Sequence, residues 1–164
     1  IVMATFTNET FKTFDNYITP KKIWEDINHL IPRKVIWEAF YFNGTSGQSL
    51  KELGHQVIHD NINFFSSDEG EIIVSNPPFS LKKEVMFRLK ALDKPFIMVL
   101  PISTLTTNYF RETFADKIQL IIPRQRIQFM KLDKNGNEVL QGRCNFDCAY
   151  FCYQINLPQD IVFL

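Results

Sequence analysis

The sequence predicts an α/β fold: a mostly parallel sheet with helices on both faces and a C-terminal antiparallel hairpin. Three observations carry this expectation. Strand-like and helix-like segments alternate from residue 19 to residue 122. The strand-like segments are apolar throughout, as strands covered on both faces are; a half-exposed strand would alternate. After Pro123 the alternation of element types stops, and two short strands flank Asn135-Gly136, a tight-turn signal.

The elements follow in order. Thr19 and Pro20 read as a helix cap followed by proline in the first turn. Ile23, Ile27 and Leu30 then recur at helical spacing until Pro32. Residues 34–38 read as a buried strand and 39–47 as a loop, with Ser46 capping a short helix that Gly54 stops. Residues 55–60 and 71–75 are the next two strands. Ser80 is placed to cap a helix carrying Leu81, Val85, Leu89 and Leu92. Residues 95–100 form an apolar strand stopped by Pro101, 108–115 a helix with Phe110 and Phe114 inward, and 118–122 a further strand. Residues 126–132 and 138–142 form the hairpin, and 145–155 the last strand.

Composition narrows the function. The 164 residues suit one domain, 1–164, with no separate target-recognition domain. Basic and acidic residues number 18 each, which argues against binding nucleic acid by charge alone. The charge is uneven: residues 1–80 carry 6 basic and 10 acidic residues, residues 81–164 carry 12 and 8. A polyanion should therefore approach the second half. No apolar run is long enough to span a membrane, and the start lacks the regions of a signal peptide, so a soluble cytoplasmic protein is expected. Cys144, Cys148 and Cys152 recur at a spacing that invites a metal. On a strand that same spacing puts all three on one buried face, and no histidine lies nearby, so the expectation is core and no metal.

Open α/β sheets bind ligands beyond the carboxyl ends of their strands. Loops 39–46, 60–66, 76–80 and 101–107 meet that description. Glu38 ends the first strand, and Asn43-Gly44-Thr45-Ser46-Gly47 leads into a helix. Asp60 ends the second strand 22 residues later, a distance that suits a ribose-binding acid. G-x-G-x-x-G and GK[ST] are both absent, so a cofactor with adenosine and no pyrophosphate fits better.

Residues 75–80 then read SNPPFS, after a buried strand and before a helix. The stretch resembles motif IV, (Asn/Asp)-Pro-Pro-(Tyr/Phe), of S-adenosylmethionine-dependent amino-methyltransferases. With Phe then Ser it looks most like the N6-adenine methyltransferases of phages, large DNA viruses and bacteria. Residues 37–44, WEAFYFNG, resemble their motif I; residues 53–60, LGHQVIHD, resemble motif II with its ribose acid. Asn63-Phe64 sits where the family carries Asp-Phe beside the cofactor adenine. Tyr17-Ile18-Thr19-Pro20 resembles the segment that closes over the methionine end, and Lys94-Pro95-Phe96 also matches. The resemblance covers roughly residues 17–122.

The resemblance implies a Rossmann-like class I methyltransferase that moves a methyl group to the N6 amine of adenine in DNA. It implies S-adenosyl-L-methionine as cofactor, held by Tyr17, Thr19, Pro20, Glu38, Phe40, Asn43, Gly44, Asp60, Asn63 and Phe64. It places Asn76 and Pro77 on the amine, Pro78 as stiffener and Phe79 in a stack on the base. An exocyclic amine is a poor nucleophile because its lone pair is delocalised. Accepting its two N–H bonds favours a pyramidal nitrogen, so positioning and electrostatics suffice. Ser80, Lys82, Arg124, Arg126, Lys131 and Lys134, with Lys117 and Arg143 nearby, are the expected nucleic-acid contacts. A solvated edge hairpin would carry such lysines equally well. Two positions depart from the family: Ala39 stands where proline is usual, and Phe42 where the first glycine is expected. Phe42 therefore keeps a catalytically degenerate subunit open, and RNA adenine stays open beside DNA because motif IV reads the amine and not the sugar. A homodimer or second subunit would supply any sequence recognition.

Overall fold

A computed structural model describes residues 17–140 and 147–164. The strands are β1 (Ile36–Trp37), β2 (Val57–Ile58), β3 (Ile72–Ser75), β4 (Phe96–Pro101), β5 (Ile118–Ile122), β6 (Met130–Leu132), β7 (Glu138–Leu140), β8 (Cys148–Tyr153) and β9 (Ile161–Phe163). The helices are α1 (Lys21–Glu25), α2 (Thr45–Glu52), α3 (Lys82–Leu92) and α4 (Asn108–Thr113). Seven strands form one sheet in the order β2-β1-β3-β4-β8-β5-β9; β6 and β7 form a separate antiparallel pair. β8 alone runs against its neighbours β4 and β5. This is the Rossmann-like α/β fold expected, with β1 at the point where strand order turns back on itself.

Each face of the sheet has its own core, and period-two alternation within the strands explains both. In β4, Ile97 and Val99 join Ile23, Trp24, Ile27 and Leu50 of the α1/α2 layer. Phe96, Met98 and Leu100 join Val85, Met86 and Leu89 of α3 and Phe110 and Phe114 at α4. Burial of each large side chain contributes about 1.5–3 kcal/mol, so losing either layer would unfold the sheet. β8 divides likewise: Cys148, Tyr150 and Cys152 face α1, while Ala149, Phe151 and Tyr153 face α3 and α4. Cys148 and Cys152 therefore share a face of the core, and burial pushes the Cys152 thiol up to about 12. The Tyr150 hydroxyl donates to the Ile23 carbonyl at 2.7 Å, tying β8 to α1.

Several local expectations need correction. Neither Thr19, Ser46 nor Ser80 caps a helix. Pro20 is the N-cap of α1, Gly44 of α2 and Leu81 of α3, none with a side-chain cap bond. Ser80 lies instead in a 3-10 turn, Phe79–Leu81, that precedes α3. Gly44 can hold its N-cap place because its φ is +80°, a conformation side chains rarely adopt. The first strand is two residues long, β4 includes Pro101, and the hairpin strands are three residues each. Residues 145–155 do not end the sheet, because β9 pairs in parallel with β5 at its edge. Arg143, Cys144 and the start of the chain lie outside the described residues. Among those described, no helix is long and apolar enough to cross a membrane.

Candidate active site

Strand order reverses at β1, so the carboxyl ends of β1 and β3 diverge and leave a crevice. The lining includes Tyr17, Thr19, Glu38, Phe40, Asn43, Asn76, Pro77, Pro78 and Phe79, all singled out in the sequence. Ile18, Tyr41, Phe42 and Ser46 complete it. The free space is about 20 Å³, enough for a water molecule and far too little for a nucleoside.

Glu38 lies at the floor, 1% exposed. Its carboxyl accepts hydrogen bonds from the Ser46 and Ser75 hydroxyls and, at 3.1 Å, from the Phe40 amide. Trp24 Nε1 donates to Ser46 Oγ at 2.9 Å, so the indole orients the hydroxyl that faces the acid. Burial outweighs these three donors and pushes Glu38 up to about 7. Neither serine is recognisable from the sequence as a partner of the acid, because hydroxyls 8 and 37 residues away carry no local signal.

Asn76 follows β3 directly. Its Nδ2 donates to Thr19 Oγ1 at 3.1 Å, while its Oδ1 is buried with no donor among the described residues. An unsatisfied buried acceptor costs about 1–3 kcal/mol, so its presence asks for a reason. Beside it, Phe79 packs against two rings. Phe129 meets it edge-on at 6.0 Å, and Tyr17 lies 6.2 Å away. Tyr17 and Phe129 are themselves 5.5 Å apart. Lys82 sits over the Phe79 ring at 6.0 Å. Phe129, outside the sequence-derived set, is thus a central support. Ile18 and Met130 exchange backbone hydrogen bonds of 2.7 and 3.0 Å, which attach the hairpin to the cleft wall.

Phe42 has φ +46°, a left-handed conformation rare for a bulky residue. The backbone here keeps a glycine-like shape although the residue is phenylalanine. Tyr41 continues the wall, lying over Gly44 and stacking on His59 with centroids 6.1 Å apart. Gly47 packs so tightly on His59 that a Cβ there would lie 2.3 Å from the histidine Cβ.

The remaining sequence-derived residues lie elsewhere. Asp60 is exposed, two residues past β2, and neither Gly44 nor Pro20 is among the lining residues. Asn63 Oδ1 accepts from the Phe65 amide at 3.0 Å. Phe64 is fully buried, 4.8 Å from Phe40 and 5.6 Å from Trp37. Arg88 holds this loop by donating to the carbonyls of Phe64 and Ser67 at 3.2 and 2.8 Å. Lys94 anchors the next loop through the Glu69 and Gly70 carbonyls, both at 2.8 Å. Of the expected nucleic-acid contacts, Ser80 and Lys82 flank Phe79. Arg124, Lys131 and Lys134 are exposed, and Arg126 pairs with Asp147 at 2.9 Å.

No family model matches the chain. No curated protein matches it. Among solved structures it is similar to the tRNA (m1A58) methyltransferase TrmI from Aquifex aeolicus, at 13% sequence identity and a TM-score of 0.39, over 88% of this chain and 72% of that one. A likeness at that level leaves the chemistry to the geometry of the cleft.

Proposed function

We propose that the chain transfers a methyl group from S-adenosylmethionine to the N6 amine of adenine in nucleic acid, DNA before RNA. The observation that carries the reading is the orphaned Asn76 Oδ1, which shares the cleft lining with Pro77, Pro78 and Phe79 at a strand-order switch. That oxygen and the Pro77 carbonyl are the acceptors for the two N–H bonds of the amine. Thr19 fixes the Asn76 amide through Nδ2 and Pro78 stiffens the turn; Phe79, 8% exposed with Lys82 over its ring, would stack on the base once Lys82 swings aside. S-adenosylmethionine supplies an electrophilic sulfonium methyl. Glu38, Asn43 and Asp60 are the polar groups that would hold it. Glu38 and Asn43 line the cleft and Asp60 lies exposed past β2, outside that lining; the 20 Å³ of free space admits the cofactor only once the Tyr41–Phe42 wall moves aside.

Calorimetric titration of S-adenosylmethionine tests this directly. Binding near micromolar is expected, weakened roughly tenfold by Asp60→Ala, the loss of one charge-assisted hydrogen-bond acceptor. The closed cleft favours one rival, a scaffold that keeps the fold without the chemistry. A well-folded sample that binds no cofactor would establish it. Phe42→Gly sharpens the comparison. Glycine removes the cost of a side chain at φ +46°, about 1–2 kcal/mol, and opens the wall. A several-fold gain in cofactor affinity is expected; equal or weaker affinity would show that the phenylalanine does not obstruct the site.

A further inference from the structure

The same edge of the sheet carries a second opening. β8 is antiparallel to both β4 and β5, so β5 and β9 end at the edge where β1, β3 and β4 end. There, between α1 and the tip of β9, lies a groove of about 560 Å³. Its walls include Lys22, His29, Arg124, Gln125 and Phe163. Phe163 is 75% exposed, the most exposed large apolar side chain among the described residues. Asp26 in the same wall pairs with Lys22 at 2.8 Å. Arg124 makes no ion pair among the described residues. The groove thus presents an uncompensated guanidinium beside an aromatic ring.

We propose that this groove holds nucleotides flanking the target base of a single-stranded nucleic acid, a reading that rests on the methyltransferase function above. Ring and guanidinium together are what a single strand needs: a platform for a base face and a clamp for a phosphate. A duplex keeps its base faces stacked inside and offers Phe163 nothing to cover. The span agrees. From β3 to β9 there are four inter-strand steps of about 4.8 Å, roughly 19 Å in all. At a stacked rise of 3.4 Å that is about six nucleotides. The strand leaves the cleft past Phe79 and Lys82 and reaches Arg124 and Phe163 within one short oligonucleotide.

Length dependence is the readout. Fluorescence anisotropy would follow adenine-containing single-stranded oligodeoxynucleotides of about 3 and about 12 nucleotides, lengths that fall short of and exceed the span. The full chain, the double variant Phe163→Ala/Arg124→Ala and Lys51→Ala would be compared. Lys51 is exposed near the C-terminus of α2, outside the groove, and serves as the control. The longer strand should bind roughly tenfold more weakly to the double variant, with the shorter one and Lys51→Ala unchanged. Arg124→Ala alone should lower the salt slope by about 1. Equal weakening at both lengths, no weakening, or no binding by the natural chain would overturn the proposal. So would a change in sedimentation mass on Phe163→Ala, which would mark the ring as a contact between copies. Cofactor titration on the same samples separates the two readings. Loss of length-dependent binding without any cofactor binding keeps the groove and sinks the methyltransferase. Methylation of the long strand with unchanged KM in the double variant sinks the groove alone.

Discussion

Asn76→Ala is expected to lower kcat for adenine methylation by about 10²–10³, with cofactor affinity unchanged within about twofold. The size follows from what Oδ1 does. In the proposed chemistry it accepts an N–H bond that strengthens as the amine becomes pyramidal, so it stabilises the transition state more than the bound substrate. Removing such an acceptor costs kcat and leaves cofactor binding alone. Stability separates this from a structural role. Alanine gives up the 3.1 Å bond to Thr19 but also removes an unsatisfied buried acceptor. The two effects oppose each other at about 1 kcal/mol each, so the melting temperature should move little. Asn76→Asp keeps an acceptor oxygen and should retain more activity than alanine. Activity within about threefold of the natural chain, or a collapse of cofactor binding, would remove Asn76 from the amine-binding role.

Much of this cleft was legible because its signals are local. SNPPFS announces a strand end and a rigid turn between an amide and an aromatic ring within six residues, and the structure puts Asn76, Pro77, Pro78 and Phe79 in the cleft lining. The apolar runs of β3, β4 and β5 announce a two-sided sheet for the same reason. What escaped depends on distant pairing. Residues 145–155 read as a strand, but nothing in their composition says that β8 enters antiparallel between β4 and β5, or that β9 follows outside. Ser46 reads as a cap from the sequence but lies in the first turn of α2. Its hydroxyl goes to Glu38 because Gly44, at φ +80°, already starts the helix and Trp24 turns the side chain inward. Phe129 sits in a run that predicts only a hairpin strand. Its contact with Phe79 arises because Ile18 pairs with Met130 and carries Tyr17 to the same place. Phe42 was visible as an odd residue in a glycine position, but its left-handed backbone was not.

Glu38 makes stability fall as pH rises, the reverse of a paired surface carboxylate. Its carboxyl is held at about 7 in the folded chain, against 4.5 when unfolded, because burial disfavours the charged form more than the Ser46, Ser75 and Phe40 donors favour it. Between these values the folded chain keeps a proton that the unfolded chain has released. By linkage, the contribution is complete below about pH 4.5, is lost as pH climbs toward 7, and is flat above. A shift from 4.5 to about 7 corresponds to about 3 kcal/mol in full, most of it between pH 5 and 8. His55 and His59 act oppositely in the same window. Burial lowers both, so their contribution is lost as pH falls. The measurement is therefore a difference: urea unfolding of the natural chain and of Glu38→Gln across pH 5 to 8. Glutamine keeps the shape and cannot titrate, so the histidines cancel. The natural chain should lose about 2–3 kcal/mol relative to the variant over that range. Parallel curves would mean that the Ser46 and Ser75 hydroxyls hold Glu38 ionised throughout. An ionised acid at the floor of the cleft would be a standing attraction for a cationic ligand group. A protonated one would have to release its proton as such a group arrives.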